Sequence, residues 1–83
     1  MRWLLMTKDI KKIIAKVANV DVTIITDETE LVADLELDSM DVLDIVTELE
    51  KTYPIDIPGE AMTEFFSVED IQLCVNELMA KND

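Results

Sequence analysis

Leu37-Asp38-Ser39-Met40-Asp41-Val42-Leu43-Asp44-Ile45-Val46-Thr47-Glu48-Leu49-Glu50-Lys51-Thr52 is the stretch that decides the fold. With Val42 as origin and about 100° per residue, Val42, Ile45, Val46 and Leu49 cluster within roughly 60° of one direction. Asp41, Asp44 and Glu48 fall nearly opposite. This is an amphipathic helix, predicted from about Ser39 to Thr52, with one face for a core and one acidic stripe. Met40 falls on the exposed side. A large apolar residue beside an acidic stripe points to a contact surface.

Upstream, Ile10, Ile13, Ile14 and Val17 stand at i, i+3, i+4 and i+7. They predict a first helix from about Lys8 to Ala18, with Thr7 as its cap. Residues from about 19 to 37 form a long connection. Its β-branched run Val22-Thr23-Ile24-Ile25-Thr26 has local strand character, but no second strand is available to pair with it. Connections this long inside a small domain are often functional. Leu31, Val32, Leu35 and Leu37 are expected to anchor it.

Downstream, Tyr53-Pro54 ends the central helix, because proline lacks the N–H and forces its predecessor into extended geometry. A short helical turn is expected over Glu60–Phe65. Ser67 is expected to cap a last helix, with Asp70 at the capping-box position and Phe65 and Phe66 buried before it. Val68, Ile71, Val75, Leu78 and Met79 form that helix's apolar face. The whole reads as all-α: a small four-helix bundle, three longer helices and one short, with a long loop between the first two. One domain spans 1–83, with its core at about 8–80.

The composition agrees. The 83 residues include one glycine, two prolines and four aromatics, too few turn residues for a β-sandwich. A single cysteine, Cys74, makes no internal disulfide and fits a reducing, cytoplasmic compartment. It sits on the flank of the last helix and reads as a small core residue. Met1–Met6 are too few for a membrane span or signal peptide. The net charge is −12. Residues 1–20 hold a net +4, and residues 21–83 a net −16. Such a field repels nucleic acid and anionic membranes and steers basic protein surfaces toward the acidic side.

Several chemistries are excluded. With no histidine, the usual general base, metal ligand and nucleophile pairing are gone. One glycine cannot build a phosphate-cradling loop. Asp34, Glu36 and Asp38 alternate like the start of a calcium loop. However, Ser39 stands where such a loop turns on glycine, and Ile45 where it needs a bidentate glutamate. No catalytic residue and no metal site are expected. Ser39 remains, heading the acidic helix after the long loop. Serine and aspartate are also ordinary helix caps, and Ser67-Val68-Glu69-Asp70 repeats the pattern of a serine followed by acids. The context of the long loop and the acidic stripe separates Ser39 from Ser67.

In that context the chain resembles the acyl carrier proteins. The run Thr26–Asp41, ending in Asp38-Ser39-Met40-Asp41, is similar to the family's loop and Asp-Ser-Leu/Met motif. Glu48-Leu49-Glu50, Ile57-Pro58 and Ser67-Val68-Glu69-Asp70-Ile71 follow in the expected order. The resemblance covers about residues 8–80. It implies a carrier acted on by enzymes, with 4′-phosphopantetheine attached to Ser39 by a phosphodiester and Asp38 in support. A phosphopantetheinyl transferase supplies the arm from coenzyme A, and the arm's thiol holds acyl groups as thioesters. Met40, Asp41, Asp44, Thr47 and Glu48 would meet basic docking patches on acyl-loading and acyl-processing enzymes. Leu43, Val46, Ile57 and Met62 would line an acyl pocket, and each reads equally well as ordinary core. The chain is expected to act as a monomer in fatty-acid or polyketide-type synthesis. Two other readings stay open: an aminoacyl carrier of D-alanyl or peptidyl type, and an acidic adaptor in which Ser39 is only a helix cap. Three features depart from the family. Glu36 stands where glycine is frequent, so the turn must avoid a left-handed backbone or strain to reach it. Lys51 interrupts the acidic face, and the Arg2-Trp3 opening is atypical and fits an upstream start codon.

Overall fold

The apolar rows become the inner faces of helices. The computed structural model describes residues 2–81, with side chains from Met6 onward. Met1, Asn82 and Asp83 lie outside the described residues. The order is α1 (Arg2–Ala18), a 3-10 turn (Val22–Ile24), α2 (Ser39–Thr52), α3 (Gly59–Met62) and α4 (Val68–Lys81). Helix α1 packs against both α2 and α4. Ile10, Ile14, Leu31, Ile45, Leu49, Val68, Ile71 and Val75 are fully buried where these elements meet. Each such side chain contributes about 1.5–3 kcal/mol relative to exposure.

Helix α1 starts at Arg2, six residues before Lys8, so Thr7 lies within it and is not its cap. The reason is Met6. It stands four residues before Ile10 on the same face and is buried, so the helix gains core contact by continuing backward. The helix stops at Asn19, whose φ of 58° is left-handed. The N–H of Val20 reaches Ala15 O at 3.0 Å and that of Asn19 reaches Lys16 O at 3.3 Å, a Schellman ending.

The β-branched run forms no strand. Asp21 caps a 3-10 turn instead, accepting the Thr23 N–H at 2.9 Å. Without a partner strand, local strand preference has nothing to pair with. Two contacts bind the connection to the rest of the fold. Lys11 pairs with Asp27 at 3.1 Å. A short antiparallel bridge joins Glu30 to Ser67. Around that bridge, Leu31 N–H donates to Phe66 O (2.9 Å), Val68 N–H to Thr29 O (2.9 Å) and Glu69 N–H to Asp27 O (3.0 Å). Leu31 and Leu37 are buried and Leu35 half-buried, as expected of anchors. Val32 is 66% exposed and anchors nothing.

The short helix α3 covers Gly59–Met62, earlier than the predicted Glu60–Phe65. At the next junction Phe65 is buried but Phe66 is 67% exposed, against the expectation that both go inside. Phe66 and its neighbour occupy a connector where successive side chains diverge, so only one reaches the core. The Asp70 carboxylate accepts the N–H groups of Phe66 and Ser67, both at 2.9 Å, and so caps the start of α4. On α4, Val68, Ile71 and Val75 are buried and Leu78 and Met79 half-buried. Gln72 is also buried, a position its polarity concealed. Cys74 is half-buried and packs against the edge of the core.

Candidate functional site

Asp38, not Ser39, caps α2. Its extended backbone presents the carboxylate to the Asp41 N–H at 2.9 Å, and the Asp41 carboxylate accepts the Asp38 N–H at 3.1 Å. This reciprocal box fixes where the helix begins. Ser39 is therefore the first residue inside the helix. Its side chain is exposed, and its hydroxyl has no hydrogen-bond partner among the described residues. Its N–H and that of Met40 are first-turn donors with no intrahelical acceptor. They give the surroundings of the hydroxyl the positive end of the helix dipole, which favours an added phosphate.

The base is rigid. Leu37 is buried immediately before the cap and Val42 immediately after the first turn. Glu36 has a φ of 56°, so the turn does enter the left-handed region. Two backbone bonds hold it there, Glu36 N–H to Val32 O and Leu37 N–H to Leu31 O, both at 3.0 Å.

Beside Ser39 lies an open-sided hollow of about 760 Å³. Ser39 and Asp38 line it together with Val32, Leu37, Val42, Met62, Phe65 and Phe66. Its wall is mainly apolar and comes from the long connection, α2 and the α3–α4 junction.

Of the residues read as a pocket, Met62 lines this hollow. Leu43 lies exposed on α2, while Val46 and Ile57 sit in the core, and none of these three lines it. Met40 is 65% exposed next to Ser39. Asp44 and Thr47 are exposed along α2, with the Thr47 hydroxyl turned to Leu43 O at 3.0 Å. Glu48 is half-buried, and Lys51 approaches it at 3.9 Å. Asp41 is half-buried in the capping box, so it supports the helix as well as adding to the stripe. Val32, Phe65 and Phe66 were not foreseen as lining. Adjacent side chains in an extended connector point to opposite faces, so Phe65 and Phe66 cannot both go inside, but nothing local tells which of them stays out. Among the described residues no group of His, Cys, Asp or Glu is arranged to hold a metal ion. No helix there is long and apolar enough to cross a membrane.

Comparison with known proteins matches residues 8–72 to a family described as "Phosphopantetheine attachment site". Relatives named acyl carrier protein align over three quarters of the chain. The one from Helicobacter pylori (strain ATCC 700392 / 26695) is 38% identical over 77% of this chain and 82% of its own length. That from Onion yellows phytoplasma is 42% identical over 75% and 82%. That from Campylobacter lari is 30% identical over 76% and 82%. This chain belongs to the acyl carrier protein family. Acyl carrier proteins are carriers rather than enzymes, and their prosthetic group is 4′-phosphopantetheine. The residues around α2 suit that group. An exposed, unpaired hydroxyl sits at a helix N-terminus, and an apolar hollow lies next to it.

Proposed function

We propose that Ser39 bears the 4′-phosphopantetheine arm and that this carrier moves acyl intermediates, held as thioesters, between fatty-acid or polyketide-type enzymes. The observation that carries the reading is the division of labour at the start of α2. Asp38 performs the capping, and the Ser39 hydroxyl is left exposed and unengaged. A serine that only capped would have its oxygen on a first-turn N–H. Esterifying Ser39 therefore breaks no internal bond.

The chain lacks histidine, and the neighbouring Asp38 carboxylate is engaged by the Asp41 N–H, so the base for that step is assigned to the partner enzyme. A phosphopantetheinyl transferase must take the hydroxyl proton while the serine oxygen attacks the pantetheine-side phosphorus of coenzyme A; the pyrophosphate bond breaks and adenosine 3′,5′-bisphosphate leaves. Asp38 helps indirectly, by fixing the helix start beneath Ser39. Asp44 and Glu48, with Met40 beside the serine and Thr47 along the helix, form the surface offered to basic patches on acyl-loading and acyl-processing enzymes. Charge complementarity speeds encounter, and a small contact area permits release. The apolar hollow, including Met62, shelters part of the arm or its cargo; Leu43, Val46 and Ile57 act from the helix surface and the core. The carrier works as a monomeric single domain in a reducing cytoplasm, in keeping with its one unpaired cysteine.

Intact mass spectrometry tests this. Incubation with coenzyme A and a broad-range transferase is expected to add one arm to the wild type and none to Ser39→Ala. An unchanged wild-type mass under several transferases, or an arm still added to Ser39→Ala, overturns the assignment.

A further inference from the structure

We propose that the α3–α4 junction carries a second protein-docking surface, which accepts from a partner protein an apolar side chain flanked by lysine or arginine. A separate open hollow of about 460 Å³ lies here, on residues outside the α2 stripe. Its apolar wall includes Phe65, Phe66, Leu73 and Cys74. Phe66 is 67% and Leu73 51% exposed. One exposed apolar residue is ordinary; two of them walling one concavity over a buried phenylalanine form the apolar centre typical of an interface.

The rim names the occupant. Glu64, Asp70 and Glu77 line the same hollow, and among the described residues no lysine or arginine does. A neutral apolar ligand gains nothing from three carboxylates, whereas an apolar side chain between cations matches both centre and rim. Asp70 is held in place by the N–H groups of Phe66 and Ser67, at 2.9 Å each, so part of this charge is fixed before binding. Burial and the nearby Glu77 carboxylate push the Cys74 thiol up, which keeps it neutral and part of the apolar wall. Phe65 and Phe66 also wall the hollow beside Ser39. A partner seated at the junction therefore bears on that hollow from its other side.

The test uses the unmodified protein, so it is independent of whether Ser39 carries an arm. The ¹⁵N-labelled chain is titrated with a synthetic peptide bearing leucine and tryptophan between arginines, and with a control of equal length and charge in which serine replaces the leucine and tryptophan. The first is expected to give saturable amide shifts over residues 61–77, and the second shifts confined to α2. Leu73→Ser is expected to weaken the first peptide about tenfold, and Glu77→Lys about fivefold, with thermal melts like wild type. The surface is refuted if both peptides shift only α2, if neither variant alters binding, or if no saturation is reached. A concentration-dependent slowing of tumbling that Leu73→Ser abolishes also refutes it, by making a second copy of this chain the occupant.

Discussion

Replacing Glu36 by glycine is expected to stabilise the protein, and the size of the gain follows from one dihedral angle. Glu36 has a φ of 56°. A left-handed backbone costs a non-glycine residue about 1–2 kcal/mol, because Cβ crowds the following carbonyl. Glycine removes that cost but brings a more flexible unfolded chain, which returns about 0.5–1 kcal/mol. The side chain of Glu36 is exposed, so its removal forfeits no core packing. The net gain is about 0.5–1 kcal/mol, equivalent to a rise in Tm of about 2–8 °C for a domain of this size. Glu36→Gln isolates the charge, since it keeps Cβ and removes only one carboxylate from a chain of net charge −12. Circular-dichroism melts of the three proteins at one pH and salt concentration decide the matter. If Glu36→Gly melts no higher than Glu36→Gln, the strain argument fails and any gain belongs to charge relief.

Further outcomes are expected. Asp38→Ala removes the cap and is expected to cost about 0.5–2 kcal/mol in chemical denaturation; an unchanged midpoint would deny Asp38 that role. Asp44→Lys is expected to slow partner-enzyme turnover with little change in melting, because Asp44 is exposed. Asp41→Lys is expected to lower both, because its carboxylate holds the Asp38 N–H. Equal melting losses in the two variants would contradict that division. Alkaline stability follows from two neutral groups. Burial, then the Asp9 carboxylate, raises Tyr53, and burial, then Glu77, raises Cys74. Their contribution is complete below the unfolded values and is lost as pH rises through the folded ones, so stability declines above about pH 9. Asp21 runs the other way. The Thr23 N–H and hydroxyl lower it, so its contribution is present at neutral pH and lost as pH falls through its folded value. Melts from pH 7 to 11 are expected to show a shallower alkaline decline in Cys74→Ala than in wild type; parallel curves would exclude the thiol as a contributor.

Helix α2 was legible because its signal is periodic. Val42, Ile45, Val46 and Leu49 are all buried, and Met40 stays outside. The serine was legible as a place but not as a geometry. Both residue types suit the cap position, and the reciprocal box decides between them: three residues after Asp38 stands the Asp41 carboxylate, whereas three after Ser39 stands Val42. The start of α1 was hidden because Met6 extends a face whose pattern was already complete without it. Val32 and Phe66 were missed for a shared reason. They lie in connections without a repeat, where burial is decided by the Glu30–Ser67 bridge and its neighbouring bonds, and pairing between distant segments leaves no local trace. The walls of the hollow beside Ser39 come largely from those connections. Met62 belongs to it from the end of α3, next to the α3–α4 connection, whereas Leu43, Val46 and Ile57 do not.

The bonds that clasp the long connection to the α3–α4 junction join main chain to main chain. They are indifferent to which side chains the joined residues carry. On the proposed reading, in which the hollow shelters cargo, the lip around Ser39 can thus be re-tailored at Val32 or Phe66 for bulkier or narrower passengers without loosening the frame beneath it. Proline at Leu31, Val68 or Glu69 is the exception, since it would remove a donor from the clasp. A library confined to the lip would therefore sort variants by passenger rather than by survival.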